Sequence, residues 1–591
     1  MPSAQQSTKL RVLIVGAGAS GMSAAYAFSQ HPDRFSVKVY ERSSSCGGMA
    51  TSHPIDASKY GASYINDGVQ GASPVFHNTY AIFEKLGYKA SEVDMQVSFG
   101  KDPEKDFWTN VFPSRVIDKH KNDIKKFGKA LKVIKFLEPL FAVISVSAML
   151  RMFGFSKEFG DVIVFPLVAL FFGTGNQTPF ISSAILERVF MDHNMRLFEY
   201  SPKTFLATIP KMCAFPCLSD LYSTWKSVIE AQSTPSVTDR SHEPPAPAVQ
   251  ITLSREVTHI KRHSNSSNAR GSVEVWSRPT KGTGNDQMVI EPGEEEKEEF
   301  DEIIICTDGD AALKILGDDA SWLEKKILGN VIYLWDITVT HNDIAYMEKY
   351  YRLKHSEELE SQEDRESDER KKQFSYAKDN FRPLYFIRSM PEDKKKIEMS
   401  FDLTVYQPQF DGVPPSGPGV QAADKQPDDI QPADDSQHSE STSNHPAKIP
   451  GFLSQEESKK SRIPLENHVF QTIFLDKEPS SSQYWSKDEI NADKVILEKW
   501  WKQQSHRWQH YAGTVPWMGL INGKYHTRFA GAWTILNMHE IAVVSGFAAA
   551  YQLGASYPFT DDPNCKRLFA LCLAANHMVR MRKEDRSGIF T

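Results

Sequence analysis

Near the amino end, one arrangement of residues limits the possible folds more than anything else in the chain. A β-branched run, Arg11-Val-Leu-Ile-Val15, leads into Gly16-Ala-Gly-Ala-Ser-Gly21, an alanine-rich stretch to Ser29, and a second run, Ser36-Val-Lys-Val-Tyr40. Strand, glycine-rich turn, helix and strand predict a parallel β-α-β unit. Each glycine then has a task. Gly16 permits the tight turn, Gly18 lets backbone approach a diphosphate with no Cβ in the way, and Gly21 lets the helix pack on the sheet. The diphosphate would rest on the open N–H groups at the positive end of the helix. Glu41 ends the second strand about 20 residues past Gly21, where a carboxylate accepts hydrogen bonds from ribose hydroxyls and repels a 2'-phosphate.

The remaining composition excludes several classes. A net charge of -7 supplies no basic field for a phosphate backbone, so nucleic acid is not an expected partner. The 6 cysteines include no CxxC pair, and Cys213 and Cys217 lack the companions of a zinc site. Reduced thiols and no metal are expected. The polar start, Met1–Lys9, lacks the apolar core of a secretory signal, and cytoplasmic residence is the expectation. Two apolar runs, Pro139–Leu150 and Val162–Phe172, fall short of the roughly 20 residues that cross a bilayer. They read as buried helices lining a substrate cavity, with a peripheral membrane contact as the standing alternative.

At 591 residues the chain exceeds one compact core, and its segments interleave. The fold class expected is α/β, a Rossmann-like domain with a second α+β substrate domain of antiparallel sheet plus helices. Residues 1–110, 245–318 and 500–560 are assigned to the first domain, and 111–244 and 319–499 to the second. Strands are expected at 257–262, 271–277, 302–307, 331–340, 384–388, 396–405 and 468–475, with a helical region over about 119–230. Residues 561–591 read as a C-terminal helix. The charged stretch 355–372 and the Pro-, Asp- and Ser-rich stretch 407–460 read as flexible inserts.

The continuation Glu41-Arg-Ser-Ser-Ser-Cys-Gly-Gly-Met-Ala-Thr51 resembles the FAD-dependent amine oxidase and phytoene desaturase superfamily, in which paired glycines pass close to the flavin diphosphate. The stretch Ile65–Gly71, with Asn78-Thr-Tyr80 and Asp94–Ser98, is similar to poorly characterised amine-oxidase-like flavoproteins. The resemblance extends to Phe529-Ala-Gly-Ala-Trp533 and Asn537-Met-His-Glu540. There it implies a helix whose first turn faces the flavin pyrimidine, where a helix N-terminus stabilises negative charge. By that resemblance the cofactor is non-covalent FAD, since no cysteine lies between Trp500 and Pro563. Its contacts would be Gly16, Ala17, Gly18, Ser20, Gly21, Glu41, Arg42, Gly47, Gly48, Met49, Ala50, Val257, Thr307, Gly531, Ala532, Met538, His539 and Ala542. Three positions depart from the family: Met49 stands where Arg is common, Ala532 where an acid is common, and Met538 where an amine oxidase places an aromatic.

His539 and Glu540 are the candidate catalytic groups because the resemblance sets them near the ring, although a capping or core role for His539 stays open. Trp517, Tyr525 and Trp533 are candidate pocket walls. The apolar residues of the second domain imply a small apolar substrate. Gly173-Thr-Gly-Asn-Gln-Thr178 lacks the third glycine of a second nucleotide fingerprint. Three readings follow: an oxidase or dehydrogenase acting at a C–N or C–C bond, a non-redox double-bond isomerase or hydratase, and a flavin-binding interaction protein.

Overall fold

The computed structural model describes residues 9–191, 198–206, 208–233, 247–263, 273–281, 294–412, 417 and 463–586. Five parallel strands form the first sheet, in the order Val249–Thr252, Phe35–Tyr40, Leu10–Val15, Glu302–Ile305 and Thr527–Phe529. The central strands are covered on both faces, which their unbroken apolar runs require. Val12 and Ile14 face a helical layer containing helices Ala19–Ser29, Leu218–Gln232 and His539–Gln552. Leu13 and Val15 face Val257, Ile260, Val273 and Val275 of an antiparallel three-stranded sheet, Arg255–Arg262, Val273–Pro279 and Glu296–Phe300. This alternation is the two-residue period of a strand.

Seven strands form the second sheet, in the order Val495–Gln504, Tyr333–His341, Phe470–Phe474, Ile397–Asp402, Tyr385–Ser389, Val97–Phe99 and Trp108–Thr109. The pairing is antiparallel except between Tyr385–Ser389 and Val97–Phe99. One side chain cluster joins this sheet to the helices between Lys121 and Met191. The α/β class with a second α+β unit is therefore observed.

Several expected boundaries move. Strands 97–99 and 108–109 fall within the stretch assigned to the first domain yet join the second sheet, and Val495–Gln504 crosses the boundary set at 500. Residues 355–372 are not a loose insert. Buried Glu360 accepts a hydrogen bond from His355 and pairs with Arg365, and helix Asp368–Asn380 buries Phe374 and Ala377 against Phe107 and Phe112. In the other expected insert, 407–412 and 417 are described and form a short 3-10 turn at Pro408–Asp411, while 413–416 and 418–460 lie outside the described residues. The expected C-terminal helix is Pro563–His577, capped by the Asp562 carboxylate. Both apolar runs break into short helices, and no helix among the described residues is long and apolar enough to cross a membrane.

Candidate functional site

Three turns follow from strands of the parallel sheet and meet at one cavity. At the first, Gly16 has φ +102°, and a Cβ there would stand 3.2 Å from the Cys306 carbonyl oxygen. Gly21 sits so tightly over this turn that a Cβ would lie 1.9 Å from the Gly16 oxygen. Gly18 begins helix Ala19–Ser29 with no side-chain cap, and the cavity wall takes Gly18, Ala19 and Ser20. The first-turn amides of this helix are therefore left for a ligand.

The second turn, Gly47-Gly48, has φ values of +123° and +62°. The Gly47 N–H donates to the Ala17 carbonyl at 3.0 Å, and a Cβ on Gly48 would stand 3.4 Å from the Gly18 Cα. Two turns thus face each other through backbone alone. Met49 and Ala50 continue the wall.

The third turn leaves strand Thr527–Phe529 at Ala530-Gly531. Gly531 has φ +148° and donates its N–H to the Ser545 hydroxyl at 2.9 Å. The Trp533 indole N–H donates to the Thr307 carbonyl at 2.9 Å, tying the ends of two neighbouring strands together. Helix His539–Gln552 starts at extended Met538, again with no side-chain cap. Thr307, Gly531, Ala532, Met538, His539 and Ala542 all reach the wall. A Cβ on Gly546 would stand 2.0 Å from the Ser20 carbonyl oxygen, so this helix lies directly against Ala19–Ser29.

The cavity encloses about 420 Å³. Away from the glycine turns it closes among Met95, Leu170, Val189, Met212 and Ile473 and the rings of Tyr385, Phe401 and Tyr406, with Tyr385 and Phe401 centroids 4.9 Å apart. Polar groups enter from the second sheet. Gln70 donates to Gln471 at 2.7 Å, and Gln471 donates to the Asp67 carbonyl at 3.0 Å. The buried Gln504 amide has no hydrogen-bond partner on either atom among the described residues. Of the two acids on the wall, Asp67 pairs with Lys499 at 2.8 Å, and Asp308 lies 3.2 Å from Lys502, which it shares with Asp310. Strand Val495–Gln504 supplies both lysines and Gln504. Sequence reading missed it as a strand, although its aromatic pair Trp500-Trp501 was a usable signal.

The remaining predicted contacts do not reach the wall. Gly16, Ala17 and Gly21 stand behind it as scaffold. Buried Glu41 accepts from the Ala17 amide at 2.7 Å and the Ser43 amide at 2.8 Å, each oxygen keeping a lone pair for a ribose. Arg42 is exposed, and Val257 is buried against the parallel sheet. Of the expected pocket aromatics only Trp533 lines the cavity; Trp517 and Tyr525 are exposed at the surface.

The catalytic expectations change most. Glu540 is buried and accepts from the Asn78 amide at 2.9 Å, the Asn78 side chain at 2.8 Å and the Thr79 amide at 2.7 Å. It serves the start of helix His77–Lys85 and does not line the cavity. Burial pushes its carboxyl above the ordinary range against the pull of those donors. The His539 imidazole lies between Phe83 and Phe215, with Nδ1 3.0 Å from the Thr79 hydroxyl and Nε2 2.8 Å from the Tyr222 hydroxyl. Burial pushes it down to about 4, so it is neutral near pH 7. Glu540 thus faces the neighbouring helix, whereas His539 reaches the cavity wall with both ring nitrogens already hydrogen-bonded.

Fold and site together define a class: a Rossmann-like nucleotide-binding domain interleaved with an antiparallel-sheet domain, with the cavity between them. Residues 14–85 match the family described as an NAD(P)-binding Rossmann-like domain. The whole fold is similar to putrescine oxidase. A double mutant made in a redesign of its cofactor binding shares 12% identity, covering 93% of this chain and 100% of that one, with a TM-score of 0.51. The wild type bound to putrescine shares 11% identity over 93% and 100%, with a TM-score of 0.50. This likeness is one of fold, and it agrees with the superfamily resemblance carried by the glycine motifs. No curated protein sequence matches the chain.

Proposed function

We propose that this protein is an FAD-dependent oxidoreductase acting at a C–N or C–C bond of a small, apolar, uncharged substrate: a C–H bond gives up its hydride, the neighbouring N–H or C–H loses a proton, and the bond between the two atoms becomes double. One observation carries the reading. A single cavity receives the uncapped starts of two long helices at its glycine end and closes among apolar side chains at the other. The residues fit the cofactor: Gly18 and Gly48 form a cradle that a Cβ would enter, suited to a diphosphate. The start of helix His539–Gln552 suits a ring edge that becomes electron-rich. When bound, FAD supplies the hydride acceptor.

The rest falls to the chain. Tyr385, Phe401, Tyr406 and their apolar neighbours exclude water and hold the substrate by burial. Putrescine, the ligand in the similar oxidase, is a dication at neutral pH and needs anionic partners. Here Asp67 is paired with Lys499, and Asp308 shares Lys502 with Asp310, which leaves too few free carboxylates for a dication; the apolar end of the cavity favours a neutral substrate.

The test is purified protein incubated under nitrogen with panels of apolar N-alkylanilines, which are uncharged at neutral pH, and of neutral compounds with saturated or partly unsaturated carbon chains. The expected result is loss of yellow colour with one neutral class, and acid precipitation that leaves the flavin in the supernatant. Colourless protein that refuses added FAD overturns the reading, and turnover without net bleaching replaces it with isomerisation.

A further inference from the structure

We infer that a basic, apolar-tipped knuckle formed by residues 121–157 docks this protein onto the surface of an anionic phospholipid membrane. Helix Lys121–Phe136 buries Ile124, Phe127, Leu131 and Ile134 on one side. Lys125, Lys129 and Lys132 run along its exposed side, spaced i, i+4, i+7. None of these three lysines has an ion-pair partner among the described residues. The row ends at Phe136, which is 86% exposed, and the chain then turns through Leu140 at 50% while Met152 stands at 62%. Beneath this tip the Phe141 and Phe153 rings stack at 5.9 Å, holding the turn after Phe136 beside the Met152 segment. Exposed apolar residues gathered in this way mark a contact surface.

Charge identifies the occupant. Residues 121–157 contain eight Lys or Arg and two acids, in a chain whose net charge is -7. Both acids are engaged, Glu138 by Arg188 and Asp123 by the Ser156 hydroxyl at 2.6 Å. A protruding apolar tip with unpaired cations behind it matches a bilayer, whose acyl region lies beneath anionic phosphates. The knuckle also borders the cavity. The Ser182 and Ser183 hydroxyls donate to the Phe141 carbonyl at 3.3 and 3.2 Å, and the helix that follows them places Val189 on the cavity wall.

Full-length protein is sedimented with vesicles of phosphatidylcholine alone or with phosphatidylserine added. The wild type should pellet with the phosphatidylserine vesicles and be released by salt. Phe136→Ser with Leu140→Ser should lower the bound fraction at least about tenfold. Lys125→Gln, Lys129→Gln and Lys132→Gln together should lower affinity for the anionic vesicles about hundredfold. Thermal melts of both variants should match the wild type, because every substituted side chain is exposed, and Trp322→Ser, an exposed aromatic on another helix, should bind as the wild type does. Wild-type protein that stays in solution with anionic vesicles overturns the proposal. So does a dimer that the paired serine substitutions dissolve while vesicle binding is unchanged. The assay reads binding with or without flavin, so its failure is distinct from failure of the oxidoreductase reading.

Discussion

On one side of the cavity Gly18 and Gly48 approach with backbone alone, while on another Trp501, Lys502, Gln503 and Gln504 present side chains from a single ten-residue strand. The glycine side offers fixed N–H groups and helix dipoles to a ligand whose diphosphate never changes. The strand side offers shape, ion pairs and an unpartnered amide, which can be altered one residue at a time without moving the main chain. Constancy resides in backbone and specificity in side chains, and each half can be attacked separately.

The sharpest break is Gly18→Val. Gly18 has an ordinary φ of -71°, and only the Gly48 Cα, at 4.0 Å, would meet an added Cβ. The protein should fold, while its FAD affinity in a fluorescence titration falls about thousandfold, ~4 kcal/mol. Retained affinity would show that the cleft is not the diphosphate site.

On the strand side, Lys499→Met leaves the buried Asp67 carboxylate unpaired. Denaturant unfolding should show a loss of about 3 kcal/mol, most of it recovered when Asp67→Asn is added. FAD affinity should change little, and a large fall would merge the two halves.

His539→Gln tests its assignment to the core. The folded imidazole titrates at about 4, below its ordinary 6.5, so between those values the unfolded chain binds a proton that the folded chain refuses. Wild-type stability should therefore fall as pH drops from about 6.5 to 4, with His539 contributing up to about 1.4 kcal/mol per pH unit. The variant should lose that part of the slope and keep its turnover per bound flavin. Collapsed turnover at full flavin content would restore a catalytic role. Gln504→Leu should do least, changing KM severalfold with stability altered by no more than about 0.5 kcal/mol.

The first sheet was legible because its signals are local. Gly16, Gly18, Gly21, Gly47 and Gly48 are demanded by turns that the neighbouring residues announce, and the strand Glu302–Ile305 is an apolar run without interruption. Strand Val495–Gln504 was not, because Glu498, Lys499 and Lys502 break its alternation and the partners of both lysines lie far away in the chain. Residues 355–372 misled for a different reason: their charge density signals solvent, whereas His355 and Arg365, each five residues away, close on a buried Glu360. Helix geometry could have corrected Glu540. Met538 and Ala542 are four residues apart and share the cavity face, so a residue midway between them points to the opposite side.

The contact between Gly546 and the Ser20 carbonyl leaves no slack between two long helices. Their starting points therefore act as the jaws of a fixed gauge, set before any ligand arrives. Such a gauge sorts by length: a molecule with a heterocycle at one end and two phosphates further along spans both jaws, whereas riboflavin or a mononucleotide touches only one. Discrimination among flavins would then be a property of the folded polypeptide, needing no adjustment at the moment of loading.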